Sequence, residues 1–392
     1  MHNAILILLL IFRRAHMKID GFGVEEWLNV WEKEAVYDIA QSTISSMTLQ
    51  EILNLEEDKG QSFMSHLMQE KFNYGWIEGS PEFKQEVAKL YTKVPPENIL
   101  ATNGATGANH LVLYGLIEPG DHVIAEYPSY QQLYDIPRSL GAEIEFWQIY
   151  ESENWYPRLE ELRKMIRPNT KMICLNNANN PTGTTLNRAF LEEVIQLART
   201  VGAYVLVDEV YLPLDDSEDY APIVDLYEKG ISTNSLSKTY SVPGVRLGWV
   251  ATQDEKLADE FRKYRDYTMI CCGVFDDALG TLVLKHRDQV LARNKEIVTN
   301  NLRILREWVE NEPLVSMIYP KAVSTSFVKF EALDPAQTEE FCVALLKNKG
   351  VLLVPGNRFD LPGYARLGYC TDEKTLRKGL SALSQFLREY NK

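Results

Sequence analysis

A lysine and an arginine, eight residues apart, are the first pair in this sequence that could carry chemistry. Lys238 follows Ser235 and Ser237, and Arg246 comes eight residues after the lysine. A held, desolvated lysine amine is a usable nucleophile, and the planar guanidinium of arginine clamps phosphate through paired hydrogen bonds. Residues 234–249 therefore predict a site that binds a phosphorylated aldehyde and joins it covalently to Lys238. Taken alone, Lys238 would more often be a surface lysine in a polar loop before a buried strand.

Pyridoxal phosphate (PLP) is such an aldehyde, and the segment resembles the lysine-containing signature of the class I and II aminotransferases, PLP-dependent enzymes of fold type I. In that signature, Ser-x-Ser-Lys is followed by Gly-x-Arg-x-Gly. The residues of this chain that match it are Ser235, Ser237, Lys238, Gly244, Arg246 and Gly248. The resemblance implies that Lys238 holds PLP as an aldimine and that Ser235 and Arg246 bind its phosphate. The resemblance depends on all six residues at this spacing and not on Lys238 alone.

An aspartate follows an apolar run at 204–207. Alone, Asp208 could be a helix cap or a metal ligand. A carboxylate beside the nitrogen of a pyridine ring stabilises its protonated form, and a pyridinium is the better electron sink. The resemblance implies this role for Asp208. It also implies that Tyr211, three residues later, hydrogen-bonds the ring hydroxyl oxygen and belongs to the catalytic set.

Residues 176–183 read Asn-Asn-Ala-Asn-Asn-Pro-Thr-Gly, which alone is a turn built from good turn formers. The stretch resembles the Asn-Pro-Thr-Gly motif of the family. That match implies that Asn180 is a second partner of the ring hydroxyl oxygen and contacts the substrate. We predict a cis Asn180–Pro181 bond, because the turn must aim Asn180 inward and proline lowers the cost of that isomer.

The small residues at 102–108 follow a predicted strand and open a predicted helix. Backbone N–H groups at a helix N-terminus suit an anion, and the resemblance implies that Ala105 and Thr106 donate to the phosphate. A dinucleotide-binding loop is the competing interpretation, but His110 stands where its third glycine would be. Tyr130, in Pro128-x-Tyr, resembles the aromatic residue that stacks on the pyridine ring.

Two further residues complete the predicted site. Arg366 lies on a predicted strand, where a charge needs a partner. The resemblance implies that it binds the α-carboxylate of the substrate as a bidentate pair. Tyr74, in Tyr-Gly-x-x-x-Gly, resembles the tyrosine that reaches the phosphate of the neighbouring subunit, so a homodimer with sites between subunits is implied.

Short apolar runs alternate with helical stretches from about residue 99 to 235. The pattern predicts an α/β large domain whose mostly parallel sheet is covered by helices on both faces, with function at the carboxyl ends of the strands. From residue 314 the pattern becomes α+β, which predicts a smaller domain. We predict an extension at 1–16, an N-terminal arm at 17–55 that is part of the small domain, a large PLP-binding domain at 56–284 and the small domain at 285–392. Long helices are predicted at 254–269 and 276–310.

The amino-acid composition restricts the classes of partner that this protein could bind. The 392 residues carry 41 Lys and Arg against 55 Asp and Glu, a net charge of −14. Without a basic cluster, this charge argues against a nucleic-acid partner. The five cysteines form no Cys-x-x-Cys pair, so no metal site is predicted and a reduced, cytoplasmic setting is expected. The apolar run 4–12 is too short to span a bilayer. We expect translation to start at Met17, and a membrane-surface anchor is the alternative.

These residues and the resemblance predict a PLP-dependent aminotransferase that moves an amino group between an L-amino acid and a 2-oxo acid through the Lys238 aldimine. The alternative is a PLP-dependent carbon–sulfur β-lyase or a cyclising elimination enzyme, since these would use the same residues. A regulator with an aminotransferase-like domain would need a DNA-binding domain, for which residues 1–55 are too few and not basic.

The identity of the amino donor stays open at this point. No second arginine is clearly placed for an acidic side chain, which weighs against aspartate and glutamate. The arm has Ala40-Gln41-Ser42 where many family members carry a glycine. In this arm the chain resembles capreomycidine-synthase-like members of the family, which work on modified arginines.

Overall fold

The computed structural model describes residues 19–215 and 219–390. The predictions made for residues 1–16 and for a start at Met17 lie outside this part of the chain. The strands are β1 (Tyr37–Asp38), β2 (Ile99–Asn103), β3 (His122–Tyr127), β4 (Glu143–Gln148), β5 (Thr170–Asn176), β6 (Tyr204–Asp208), β7 (Gly230–Ser235), β8 (Leu247–Thr252), β9 (Val315–Met317), β10 (Ser326–Phe330), β11 (Val351–Leu352), β12 (Val354–Pro355) and β13 (Tyr364–Leu367). The α-helices are α1 (Gly23–Trp31), α2 (Leu49–Leu53), α3 (Gln61–Leu67), α4 (Pro81–Ala88), α5 (Gly104–Leu116), α6 (Gln132–Ser139), α7 (Leu159–Met165), α8 (Arg188–Val201), α9 (Ile223–Leu226), α10 (Glu255–Arg265), α11 (Val274–Lys285), α12 (Arg287–Asn311), α13 (Thr338–Lys349) and α14 (Glu373–Tyr390).

The large sheet has seven strands in the order β2-β8-β7-β6-β5-β3-β4. Strand β8 runs antiparallel to both of its neighbours, and the other paired strands are parallel. The mostly parallel sheet predicted from the sequence is confirmed. The carboxyl ends of β5, β6 and β7 lie side by side, so the polar residues that end these strands meet at one edge.

Helices cover both faces of this sheet, and the strand sequences explain why. Along β5, Ile173 and Leu175 belong to one buried cluster, whereas Met172 and Cys174 belong to another. A strand buried on both faces has an almost continuous apolar sequence, which matches the run 172–175.

A second unit holds a four-stranded antiparallel sheet, β12-β13-β10-β9, and the short parallel pair β1-β11. Trp27 from the arm and Leu380 from α14 are part of its buried cluster. Strand β1 joins the arm to β11 through Tyr37 and Asp38. The arm and the C-terminal region therefore share a core, and the predicted domain boundaries stay a prediction.

The long helices predicted at 254–269 and 276–310 are wrong in extent. The first ends at Arg265, whose buried guanidinium donates to Ala101 O in β2 and to Ile270 O. The second is two helices that meet at His286, where φ is −104° and the ring contacts Glu56 Oε1 at 2.9 Å. In both cases a contact with a distant segment overrides the local periodicity.

None of the helices at 19–215 and 219–390 combines the length and apolarity needed to cross a bilayer. In the same residues, no group of His, Cys, Asp and Glu side chains is arranged to hold a metal ion.

Candidate active site

A cavity of about 920 Å³ opens at the carboxyl ends of β5, β6 and β7. It brings together residues from both units and from the arm. The predicted site residues that line it are Ala105, Thr106, Tyr130, Asn180, Asp208, Tyr211, Ser235, Lys238, Arg246 and Arg366. Segments far apart in the sequence thus converge on one space.

Lys238 follows β7 and is half-buried in this cavity. Its Nζ donates a hydrogen bond to Ser42 Oγ at 3.1 Å. Desolvation lowers the pKa of Lys238 to about 8, and the charge of Arg366 lowers it as well, while Glu25 and Asp208 oppose the change. Close to pH 8 a large fraction of the amine is therefore neutral, which is the form that acts as a nucleophile or base.

Asp208 ends β6 and is buried, with 2% of its surface exposed. Asn109 Nδ2 donates to its Oδ2 at 2.7 Å, and the Val210 N–H donates to its Oδ1 at 3.2 Å. Burial raises the pKa of Asp208 to about 6, and these two donors and the charge of Lys238 oppose that rise. A cationic ring nitrogen beside Asp208 would stabilise the carboxylate further.

Asn109 is a site residue that sequence reasoning missed. It lies on α5 and is completely buried, and its Oδ1 accepts a hydrogen bond from Thr233 Oγ1 at 2.6 Å. The pair Thr233–Asn109 thus fixes the donor that faces Asp208. Asn109 and His110 interrupt a mostly apolar stretch between Ala108 and Leu111, and this was the available signal.

A set of donors gathers at the N-terminus of α5. The N–H groups in the first turn of a helix have no partner within the helix, and here Ala105 and Thr106 supply them. Arg246, in the left-handed region with φ of 52°, places its guanidinium beside this turn. A Cβ on Gly104 would lie 2.9 Å from Arg246 Nη2. The close approach therefore depends on that glycine.

Two serines extend the same donor set. The Ser237 N–H donates to Ser235 Oγ at 3.2 Å, and Arg246 Nη1 lies 3.5 Å from Ser237 Oγ. A Cβ on Gly248 would lie 2.4 Å from the carbonyl carbon of Gly104, so the strand can pass the helix turn only without a side chain. Backbone N–H groups, hydroxyls and one guanidinium in one place fit a phosphate group.

Arg366 lies on β13 and is buried, with 3% of its surface exposed. Its Nη1 donates to Asn180 Oδ1 at 3.3 Å and its Nη2 donates to Ala40 O at 3.0 Å. Its Nε has no hydrogen-bond partner within the described residues. A buried cation with an unused donor fits an anionic ligand such as a carboxylate, whose two oxygens can accept from the guanidinium.

The remaining predicted residues surround the same space. Tyr211 is buried, and its hydroxyl donates to Ser42 Oγ at 2.8 Å. Tyr130 packs its ring edge-on against Phe22, with centroids 5.2 Å apart. The predicted cis bond between Asn180 and Pro181 is confirmed. The cis bonds at Tyr127–Pro128 and Asn177–Ala178 are not predicted from the sequence.

Tyr74 is not part of this cavity. It lies between α3 and α4, is 82% exposed, and lines a different cavity of about 1000 Å³. Its neighbours Phe72 and Trp76 are also exposed. The structure therefore does not bring Tyr74 to the predicted site of its own chain, and its role at the site of a neighbouring subunit stays a prediction.

The mouth of the cavity carries acidic side chains that sequence reasoning did not identify. Glu25 and Glu32 come from α1 and the turn after it, Asp38 from β1, and Asp372 from the residue before α14. Neither Glu25 nor Glu32 forms an ion pair with a residue in the described ranges. Among the charged side chains that line the cavity, those not already directed at the predicted cofactor and carboxylate sites are thus all negative.

Comparison with known proteins gives a consistent result. The model of the family described as aminotransferase class I and II matches residues 36–383. A solved PLP-dependent aminotransferase from Streptococcus suis is 58% identical over 96% of this chain and 99% of that chain, with a TM-score of 0.93. Capreomycidine synthase from Streptomyces vinaceus is 27% identical over 93% of this chain and 93% of that protein. Aspartate aminotransferase from Thermotoga maritima is 29% identical over 79% of this chain and 82% of that protein.

Proposed function

The chain belongs to the class I and II aminotransferase family of PLP-dependent enzymes, and from that premise we propose that it moves an amino group between an L-amino acid and a 2-oxo acid. One observation carries the proposal. A nucleophilic amine, a buried carboxylate and a buried guanidinium with a free donor share one cavity, as Lys238, Asp208 and Arg366. The test is to identify the products formed from a panel of amino acids with an oxo-acid acceptor.

Different residues around the cavity would hold different parts of PLP. Asp208 would face the ring nitrogen, and Tyr211 and Asn180 the ring hydroxyl oxygen. Tyr130 would cover the ring face. The phosphate would bind to donors at the N-terminus of α5 and after β7, which are Ala105, Thr106, Ser235 and Arg246. When bound, PLP supplies a pyridinium ring that accepts the electron pair left on the substrate α-carbon as its proton departs.

The chain itself orients the substrate and moves the proton. Arg366 would bind the α-carboxylate through its free Nε–H and a terminal nitrogen, which fixes the direction of the α-carbon. Lys238 Nζ would then take the α-proton as a base and return it as an acid. Because the pKa of Lys238 is lowered to about 8, both protonation states are accessible near neutral pH.

Asn109 should matter because it is the side-chain donor to Asp208. Asn109→Ala is expected to lower kcat about tenfold to a hundredfold, because removing a hydrogen bond to a carboxylate costs roughly 1.5–3 kcal/mol. Asn98→Ala is the matched control, since Asn98 is also buried but donates to Gln253 O outside the cavity. Steady-state kinetics of the two variants make the test. Equal losses in both would contradict the assigned role of Asn109.

The acidic residues that line the cavity affect which substrate side chains can bind. Lys238 and Arg246 would be directed at the cofactor, and Arg366 at the α-carboxylate of the substrate. The other charged residues of the cavity are negative, so they would repel an acidic substrate side chain. We therefore propose that the amino donor is neutral or cationic, with cationic side chains preferred.

Arginine and citrulline provide a matched pair, because they have nearly the same shape and differ in charge. The kcat/KM for arginine is expected to be about threefold to tenfold higher than the kcat/KM for citrulline. This difference should nearly disappear in Glu25→Gln and at high salt. Glu57→Gln, which changes an acidic residue outside the cavity, should leave the difference unchanged. A preference for glutamate or aspartate would contradict the proposal.

A second function has one specific observation in its favour. The similarity to capreomycidine synthase spans 93% of this chain, compared with 79% for the Thermotoga maritima aspartate aminotransferase. A cyclising elimination, or a β-elimination at carbon–sulfur bonds, would use the same residues. Ammonia with an oxo acid but no aminated acceptor would identify a lyase, and a cyclic amino acid would identify a cyclase.

The same proposal includes a homodimer and a cytoplasmic location. A homodimer would place Tyr74 at the phosphate site of the neighbouring chain, and the exposed residues around Tyr74 suit burial in an interface. The odd number of cysteines, none of them paired among the described residues, agrees with a reduced, cytoplasmic location.

A further inference from the structure

Ser42 lines the cavity, although no motif points to it. It comes from the arm after β1 and has only 2% of its surface exposed. Its Oγ accepts one hydrogen bond from Lys238 Nζ at 3.1 Å and another from the Tyr211 hydroxyl at 2.8 Å. A single hydroxyl thus connects the reactive amine to the tyrosine beside it.

The position of Ser42 is set by backbone contacts of the arm and does not depend on the side chain of Lys238. Ser324 Oγ donates to Ser42 O at 2.6 Å. Just before it, Ile39 O accepts from the Gly368 N–H at 2.9 Å. A Cβ on Gly368 would lie 1.5 Å from Gln41 O, so arm and strand touch directly. The hydroxyl is therefore a fixed acceptor to which a flexible lysine can bind.

A fixed acceptor matters for a lysine more than for most side chains. Lysine has four rotatable bonds and loses considerable rotamer entropy when it is held in one geometry. A neutral amine has two N–H bonds and one lone pair. When one N–H is directed at Ser42 Oγ, the lone pair must point elsewhere, and the cavity is the open side.

We propose that Ser42 is a positioning residue that orients the Lys238 amine for proton transfer at the substrate α-carbon. This inference rests on the proposed function for the proton-transfer step. The contact between Ser42 and Lys238 itself does not depend on which amino acid is the substrate. Ser42 acts through Lys238 and Tyr211.

The ammonium form of Lys238 also donates to Ser42, so the hydroxyl stabilises that charged form. The other charged or titratable groups that act on the amine are Arg366, Glu25, Arg246 and Asp208. All four remain in a Ser42 variant. A change in the titration of Lys238 would then report the loss of the Ser42 acceptor.

The first measurement uses the full chain from which PLP has been removed. Lys238 is labelled with an amine-reactive reagent across a pH series, and the modified peptide is quantified by mass spectrometry. Ser42→Ala is expected to move the midpoint of labelling about 0.5 to 1 pH unit lower, because the ammonium loses an acceptor. This readout needs neither PLP nor turnover.

The second measurement uses the PLP-loaded protein. Ser42→Ala is expected to lower kcat about tenfold with little change in KM, because the lost interaction orients a reacting group and does not bind substrate. Ser42→Thr keeps the hydroxyl and should recover most of the rate. Ser139→Ala, which removes a hydroxyl bonded to Ile136 O outside the cavity, is the control.

The outcomes separate this inference from the proposed function. A shifted labelling midpoint with slower turnover that threonine restores supports both. A shifted midpoint without amino transfer in any protein leaves the Ser42–Lys238 contact supported and removes the proposed function. If Ser42→Ala labels and turns over like the wild type, or if its losses follow lower thermal stability and threonine does not restore them, the inference fails.

Discussion

Replacing Lys238 with alanine is expected to lower amino transfer about ten-thousandfold, because a positioned proton-transfer group alone contributes roughly a hundredfold to ten-thousandfold and the covalent anchor is lost as well. Lys238 supplies the amine of the cavity. Its Nζ donates a hydrogen bond to Ser42 Oγ, and its charge interacts with that of Asp208. Borohydride should fix PLP to the wild-type chain at Lys238. In the variant, it should fix none at that position.

The control is Lys263→Ala, because Lys263 is exposed and pairs with Glu260 on α10. Its kinetics should match those of the wild type. Mass spectrometry of the borohydride-treated proteins locates the attached group, and steady-state assays give the rate. A Lys238→Ala protein that turns over within tenfold of the wild type would remove Lys238 from the mechanism.

Arg366→Leu is expected to lower kcat/KM for amino acids about a hundredfold to a thousandfold, because removing one partner of a buried charge pair costs roughly 3–4 kcal/mol. Leucine replaces a buried guanidinium whose Nε has no partner among the described residues. PLP binding should be little changed, since its predicted contacts lie elsewhere. Arg366→Lys should recover only part of the loss, because an ammonium does not form the bidentate pair.

A decarboxylated substrate tests the same point without relying on stability. The amine that corresponds to the best amino acid has no carboxylate for Arg366 to bind. Its slow reaction should therefore change little between wild type and Arg366→Leu. An equal loss for the amine and the amino acid would show that Arg366 supports the fold and does not recognise the carboxylate.

The sequence predicts the residues at the ends of strands and in the turns that follow them. Asp208 ends β6, while Asn180 and Lys238 lie in the turns after β5 and β7. Parallel strands bring their carboxyl ends to one edge of the sheet. Periodicity and short motifs therefore place these side chains with no knowledge of distant contacts. The same logic explains why the class of fold is predictable from alternating strands and helices.

Ser42 and Asn109 could not be predicted in this way. Ser42 reaches the cavity because the arm is fixed between β13 and the loop before β10, which is a long-range contact with no local signal. Asn109 faces Asp208 from the middle of a helix, where polarity alone does not define a partner. The break at His286 has the same origin, since Glu56 lies 230 residues away in the chain.

In the proposed function, the amino group leaves the substrate and remains on the enzyme-bound cofactor. The most direct test is a single turnover of the PLP-loaded protein with a ¹⁵N-labelled amino acid and no oxo-acid acceptor. The proposed function predicts one ¹⁵N per site on the aminated cofactor, together with an equal amount of 2-oxo acid. Label released as ammonia, or retained in a cyclised amino acid, would contradict it.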